Sequence, residues 1–193
     1  MRIVILGWGS LIWDIREFNN HIGEWNKSDL ELPIEFSRIS SSRKGALTLV
    51  IDPINGVDVK VRYAIAKSPS LEENIELLKK REGTTLKNIG FVNLINNEFK
   101  SYHPQIAQKI KNWAEKNNFD GVVWTDLKSN YDKKTGKIFE AKEAFEYLKT
   151  LPLEVQKEAF EYIQISTKRS ANSIKKIYKF KKMKDLRKIK ILQ

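Results

Sequence analysis

Four segments in the first third of the chain carry the hydrophobic patterns of β-strands. Residues 3–6 form a short apolar run, which is typical of a strand buried on both faces. Residues 34–39 and 57–63 alternate apolar and polar side chains, as strands with one solvated face do, and residues 47–51 have the pattern of a more buried strand. A turn that includes Asn55-Gly56 separates the strand at 47–51 from the strand at 57–63. We therefore predict one sheet in which strands that follow one another in the chain pair antiparallel.

Helical patterns follow these strands, so the sequence predicts an α+β fold. Ser70 is a good N-cap, and Glu72 and Glu73 stand in the first turn, where the helix dipole favours negative charge. This helix is expected to end at residues 81–83, because Gly83 suits a helix C-terminus. Further strands are predicted at 89–95 and 121–125, and further helices from Pro104 onward, at 140–148 and at 153–163.

The positive charge of the chain is concentrated at its C-terminal end. The formal net charge of the 193 residues is +11, but residues 168–193 carry +10 and residues 1–167 only +1. We accordingly predict a single domain over 1–167 and a basic C-terminal tail over 168–193. Such a tail either contacts the phosphates of a nucleic acid or forms a solvated basic surface. The lysines that would contact phosphate are Lys175, Lys176, Lys179, Lys181 and Lys182.

Composition narrows the classes of chemistry that the chain can perform. Cysteine is absent, which excludes disulfides, thiolate metal sites and a cysteine nucleophile. The two histidines, His21 and His103, are too far apart in sequence to form a spaced ligand pair, so we expect no metal and no cofactor. No apolar run approaches the ~20 residues that span a bilayer. The N-terminus lacks a signal-peptide pattern, and the expected location is the cytoplasm, without membrane contact.

The candidate chemistry lies in the loop after the first strand and at the end of the predicted helix near residue 82. Gly7 and Gly9 allow a sharp turn there and leave backbone N–H groups open to a ligand. Glu82 stands near a helix C-terminus, where the dipole disfavours a carboxylate, and this local cost favours a functional role. Arg38, at the end of the second strand, is a candidate partner for a substrate carboxylate.

Two motifs together resemble the gamma-glutamyl cyclotransferase family, in its ChaC-type branch. They are Trp8-Gly9-Ser10-Leu11 after the first strand and Leu78-Lys79-Lys80-Arg81-Glu82-Gly83 after the predicted meander, and the resemblance covers about residues 1–95. The chain also resembles a bacterial group that carries Trp-Gly-Ser-Leu-Ile-Trp and Arg-Glu-Gly-Thr. The resemblance implies a small mixed β-barrel flanked by helices, here with a helical C-terminal extension.

The activity implied by this resemblance is release of 5-oxoproline from a gamma-glutamyl amide or peptide. Glu82 would be the catalytic carboxylate, and Trp8, Gly9, Ser10 and Leu11 would form the substrate loop. We therefore expect Gly9, Ser10 and Glu82 to converge on one pocket. The family has Tyr where this chain has Trp8, so the phenolic hydroxyl is lost. Two alternatives remain open: a non-catalytic small-molecule binding module on the same fold, and a nucleic-acid-associated protein acting through the tail.

Overall fold

The computed structural model describes residues 1–169, and the side chains of residues 1–166. Within these residues, seven strands form one mixed sheet with the order β3-β2-β4-β1-β7-β5-β6. The strands are β1 (Ile3–Gly7), β2 (Asn26–Ile39), β3 (Leu47–Ile51), β4 (Val57–Ile65), β5 (Ile89–Asn93), β6 (Glu98–Lys100) and β7 (Gly121–Thr125). All four strands predicted in the first third of the chain belong to this sheet, which confirms that prediction.

Helices cover both faces of the sheet, and the α+β class is confirmed. The α-helices are α1 (Leu71–Glu82), α2 (Pro104–Lys116), α3 (Tyr131–Thr135), α4 (Ala141–Lys149) and α5 (Leu153–Arg169), with 3₁₀ helices at Gly9–Ile12, Arg16–His21 and Leu86–Asn88. One core cluster contains Ile3 and Ile5 of β1 together with Leu71 and Leu78 of α1. The other contains Val4 and Leu6 of β1 together with buried residues of α2, α4 and α5.

Strand β1 lies at the centre of the sheet. It pairs antiparallel with β4, where Val4 is opposite Ile65, and parallel with β7, where Val4 is opposite Val122. All five of its residues are buried, as the continuous apolar run predicts. The loop that follows β1 is consequently anchored by strands on both sides.

The prediction that strands pair in chain order is wrong for β1 and β2, which are separated by β4, and for β3 and β4, which are separated by β2. Ile34 of β2 is opposite Ile51 of β3 on one side and Val57 of β4 on the other. The connection from β3 to β4 therefore crosses from one side of β2 to the other. Gly56 makes this crossing possible: a Cβ placed on it would lie 2.6 Å from the carbonyl carbon of Pro33.

The predicted barrel is also wrong, because the sheet is open and its edge strands β3 and β6 do not pair with each other in the described residues. The sheet nevertheless curls. Three strand spacings put β1 and β3 roughly 14 Å apart in a flat sheet, yet a Cβ on Gly9, just past β1, would lie 3.3 Å from Cδ1 of Leu49 in β3. Helix α2 packs on the face toward which the sheet curls.

Helix α5 extends through Arg169 and thus across the predicted boundary between 167 and 168. Residues 170–193 lie outside the described residues, and with them the five tail lysines named above as candidate phosphate contacts. Across residues 1–169, no helix combines the length and the apolarity that crossing a lipid bilayer requires.

Candidate active site

The loop after β1 is a short 3₁₀ helix, and its conformation depends on glycine. Gly9 has a φ of 55°, in the left-handed region that other residues adopt only with strain. The carbonyl oxygen of Ser10 accepts hydrogen bonds from the backbone N–H groups of Trp13 (3.2 Å) and Asp14 (2.8 Å). Trp8 and Leu11 are buried. The loop is therefore fixed in place by its own hydrogen bonds and by two buried side chains.

Helix α1 presents Glu82 at its last turn. Ser70 caps the N-terminus of this helix by accepting a hydrogen bond from the N–H of Glu73 at 3.2 Å. Gly83 ends it in the left-handed conformation, with φ 58°. Both ends agree with the prediction from sequence. Because the helix is anchored against β7 and β5, its C-terminal turn has a defined position relative to the sheet.

Arg81 connects Glu82 to the loop after β1. Its Nη1 donates to Oε1 of Glu82 at 2.5 Å, and its Nη2 donates to the carbonyl oxygen of Asp14 at 2.7 Å. The side chain of Arg81 is 7% exposed and that of Glu82 is 17% exposed. The backbone N–H of Asp14 donates a hydrogen bond to the carbonyl oxygen of Ser10. The guanidinium of Arg81 therefore links the carboxylate of Glu82 to the loop after β1. Such a charge-assisted, mostly buried contact is among the stronger hydrogen bonds in proteins.

The structure places four of the candidate site residues around one small cavity of about 40 Å³. Trp8, Ser10 and Leu11 come from the loop, and Glu82 comes from α1. The remaining lining residues are Leu6, Thr48, Leu49, Thr125, Leu127 and Tyr162. Gly9 is not in the lining, but its backbone passes beside it. The roles assigned to these residues from sequence stay predictions.

Tyr162 of α5 is one of six lining residues that sequence reasoning missed, and it comes from the most distant part of the chain. A Cβ placed on Gly9 would lie 2.7 Å from the hydroxyl of Tyr162, so only glycine at this position leaves room for the tyrosine. The same hydroxyl is 3.4 Å from Oγ1 of Thr48. The guanidinium of Arg43 lies over the ring, 3.7 Å from its centroid. Val155, Ala159 and Tyr162 form a buried stripe at helical spacing, which predicts an inward face for α5 but not what that face meets.

Arg38 lies beside this cavity and is not among its lining residues. It is opposite Thr48 in the sheet, and its Nη1 donates to the carbonyl oxygen of Lys128 at 2.6 Å. Burial lowers the pKa of the guanidinium, and the nearby Tyr102 opposes that change. With this hydrogen bond, Arg38 holds the segment after β7 against β2. Its proposed contact with a substrate carboxylate stays a prediction.

Asp126 and His103 form a second polar group in the same part of the molecule, and their contacts are structural. Asp126 is buried and accepts hydrogen bonds from the backbone N–H of Tyr102 (2.6 Å) and from Nε1 of Trp124 (3.2 Å). His103 is the N-cap residue of α2, and burial lowers its pKa, which the charge of Asp126 partly opposes. These contacts fix the entry to α2.

Comparison with protein-family models finds no match to this chain, and neither a curated protein nor a solved structure matches it. Within residues 1–169, no three histidine, aspartate or glutamate residues lie together in a way that could hold a metal ion. The case for a function therefore depends on the geometry around the small cavity.

Proposed function

We propose that this protein is a gamma-glutamyl cyclotransferase-like enzyme that releases 5-oxoproline from a gamma-glutamyl amide or peptide. The observation that carries the proposal is the joint lining of one cavity by Ser10 of the loop after β1 and by Glu82 of α1. These two elements are more than 70 residues apart in sequence. Their meeting in one cavity is what a substrate loop facing a proton-transfer group requires.

The reaction needs one group that moves a proton and one that stabilises charge. The α-amino group of the substrate attacks its own γ-carbonyl carbon, a new C–N bond closes the five-membered ring, and the original amide C–N bond breaks. Glu82 carries two protons in turn, one from the α-ammonium group before it attacks and one from the same nitrogen after the new C–N bond forms. It passes each to the departing nitrogen, which leaves as an ammonium group, so protons and charge balance. Backbone N–H groups of the Trp8–Leu11 loop stabilise the oxyanion that develops on the γ-carbonyl oxygen.

Arg81 acts in this scheme as a positioning residue. It engages Oε1 of Glu82, while Oε2 accepts no hydrogen bond from the described residues and is the oxygen assigned to proton transfer. Its second contact, to the carbonyl oxygen of Asp14, keeps the carboxylate and the loop at a constant separation. A displacement of about 1 Å at such a site reduces turnover substantially.

The cavity is small, and we propose that one wall moves when substrate binds. About 40 Å³ accommodates roughly three water molecules, which is less than a gamma-glutamyl group needs. Most of the lining belongs to the sheet, to the loop or to α1. Tyr162 belongs to α5, so displacement of this side chain opens the cavity without breaking the sheet. We assign Tyr162 as the wall residue that yields to substrate.

The test is direct detection of 5-oxoproline by mass spectrometry after incubation with γ-glutamyl-alanine or glutathione. We expect Glu82→Gln to reduce turnover by about 100-fold or more, because it removes the proton carrier and preserves size. The matched control is Glu76→Gln on the same helix, where the side chain is 53% exposed and paired with Lys79. A wild-type protein whose 5-oxoproline release equals that of Glu82→Gln would overturn the proposal.

A second candidate, a non-catalytic binding module, is favoured by one specific contact. The guanidinium of Arg81 occupies one oxygen of Glu82 and competes with a substrate proton for the carboxylate. In a binding module, the pair would hold the ligand and no bond would break. Calorimetry with γ-glutamyl-alanine separates the candidates: saturable binding without 5-oxoproline supports the module, and release of product supports the enzyme.

A further inference from the structure

A second and larger cavity lies on the other side of Arg81. It has a volume of about 250 Å³, lies between the 3₁₀ helix Arg16–His21 and the last turns of α1, and opens to solvent on one side. Phe18 and Leu77 supply apolar surface. Lys80 and Arg81 supply positive charge from α1. The cavity is distinct from the one lined by Ser10 and Glu82, and the proposed function does not use it.

Positive side chains outnumber acidic ones around this cavity. Arg16, Lys80 and Arg81 face a single acidic residue, Glu17, and His21 completes the lining. The charge of Arg16 is partly compensated by Asp14, at 2.9 Å, where both side chains are largely exposed to solvent, and the charge of Arg81 is compensated by Glu82. Lys80 forms no ion pair with any residue in the described part of the chain. Its charge is thus available to a ligand.

Arg81 adds an observation that points to a missing hydrogen-bond acceptor. Its side chain is 7% exposed, and both Nη groups are engaged, by Glu82 and by the carbonyl oxygen of Asp14. The third guanidinium nitrogen, Nε, is buried, and its N–H has no partner among the described residues. Buried donors are almost always satisfied in folded proteins. An acceptor oxygen supplied by a ligand in this cavity would satisfy it.

We propose that this cavity binds a small organic carboxylate with a compact apolar body. The carboxylate contacts Lys80 and the Nε of Arg81, and the apolar body packs against Phe18 and Leu77. Charge selects the anion, and the apolar surface favours an organic acid over inorganic phosphate, because phosphate gains nothing from burying apolar area. Pockets of this kind combine apolar walls with a few polar groups that orient the ligand.

The test uses benzoate as the probe and benzylammonium, which has the same ring with the opposite charge, as its counterpart. Titration of the full chain by nuclear magnetic resonance should give saturable shifts at residues 16–21 and 77–81 with benzoate. We expect benzylammonium and inorganic phosphate each to bind at least about tenfold more weakly. Equal affinity for benzoate and benzylammonium, equal affinity for benzoate and phosphate, or shifts confined to residues 8–11 would overturn the proposal.

Two lysines on α1 give a matched pair of variants. Lys80→Gln removes a charge from the cavity, and Lys79→Gln removes the neighbouring charge, which is paired with Glu76 and does not line the cavity. Lys80→Gln should weaken benzoate binding by about fivefold, and Lys79→Gln by less than twofold. Equal weakening by the two variants would mean that benzoate responds only to the general positive charge of the protein, and the site would be wrong. Leu77→Glu, which places a carboxylate in the cavity, should abolish binding.

Discussion

The contact between Gly9 and Tyr162 can be tested with one methyl group. Gly9→Ala places a Cβ 2.7 Å from the tyrosine hydroxyl and 3.3 Å from Cδ1 of Leu49, at a φ of 55°. The left-handed conformation costs an alanine about 1 kcal/mol. Displacement of the tyrosine adds about 1–3 kcal/mol, which is typical of an overpacked core. We expect Gly9→Ala to lower the free energy of unfolding by about 2–4 kcal/mol.

Gly83→Ala is the matched control, since Gly83 has nearly the same φ, 58°, and a Cβ placed on it has nothing within 4 Å. This variant carries the conformational cost alone and should lower the free energy of unfolding by about 1 kcal/mol. Gly136, with φ 71° and the same open surroundings, offers a second control far from α1 in sequence. Urea denaturation followed by circular dichroism measures the free energy of unfolding of the three alanine variants. Unchanged m-values would show that their denatured states are comparable.

A double variant isolates the part of the Gly9→Ala effect that is due to the hydroxyl of Tyr162. With Tyr162→Phe, the nearest ring carbon to the new methyl group at residue 9 is 3.7 Å away, which is an ordinary contact. Gly9→Ala combined with Tyr162→Phe should therefore recover most of the excess cost, giving a coupling energy of about 1–3 kcal/mol. If Gly9→Ala costs no more than Gly83→Ala, or if Tyr162→Phe gives no recovery, Tyr162 does not contact the loop as described.

Other predictions concern the hydrogen bonds and charges around the helices. Tyr131→Phe should raise the free energy of unfolding by about 1 kcal/mol in urea denaturation, because the hydroxyl of Tyr131 is buried with no partner among the described residues. Tyr147→Phe should lower it by about 1 kcal/mol, because it loses a 2.8 Å hydrogen bond to the carbonyl oxygen of Gly45. Burial, with nearby negative charges, raises the pKa of Tyr131 to about 12, above its unfolded value of about 10. Between these values only the unfolded chain loses the proton, so the free energy of unfolding should fall from about pH 10 to about pH 12. The fall should be smaller in Tyr131→Phe. Ser70→Ala should lower the free energy of unfolding by about 1 kcal/mol, and with it the thermal midpoint, because the hydroxyl that accepts from the N–H of Glu73 is lost.

Features set by neighbouring residues could be predicted from the sequence. The burial of β1 follows from its continuous apolar run. The start of α1 follows from the hydroxyl of Ser70, and its end follows from the freedom of Gly83 to adopt a positive φ. The placement of Ser10 and Glu82 around one cavity was expected from family resemblance, and the described structure brings the two together.

Features set by distant contacts could not be predicted in the same way. The first residues of β2, Asn26 to Asp29, are polar and carry no strand signal, yet pairing with β4 makes them a strand. This long strand separates β3 from β4, which chain order did not indicate. Tyr162 belongs to a helix whose apolar stripe was visible, but the partner of that stripe depends on how far the sheet curls. Local periodicity contains no information about that curvature.

The central position of β1 has a consequence for synthesis on the ribosome. Its neighbours in the sheet are β4 and β7, and β7 begins more than 110 residues later in the chain. At roughly 5–20 residues per second, β1 waits on the order of 6–24 s for its second partner. During that interval an apolar strand with an unpaired edge is open to association with other nascent chains. Slower translation between β4 and β7 should therefore lower the soluble yield of this protein, although it leaves the folded molecule unchanged.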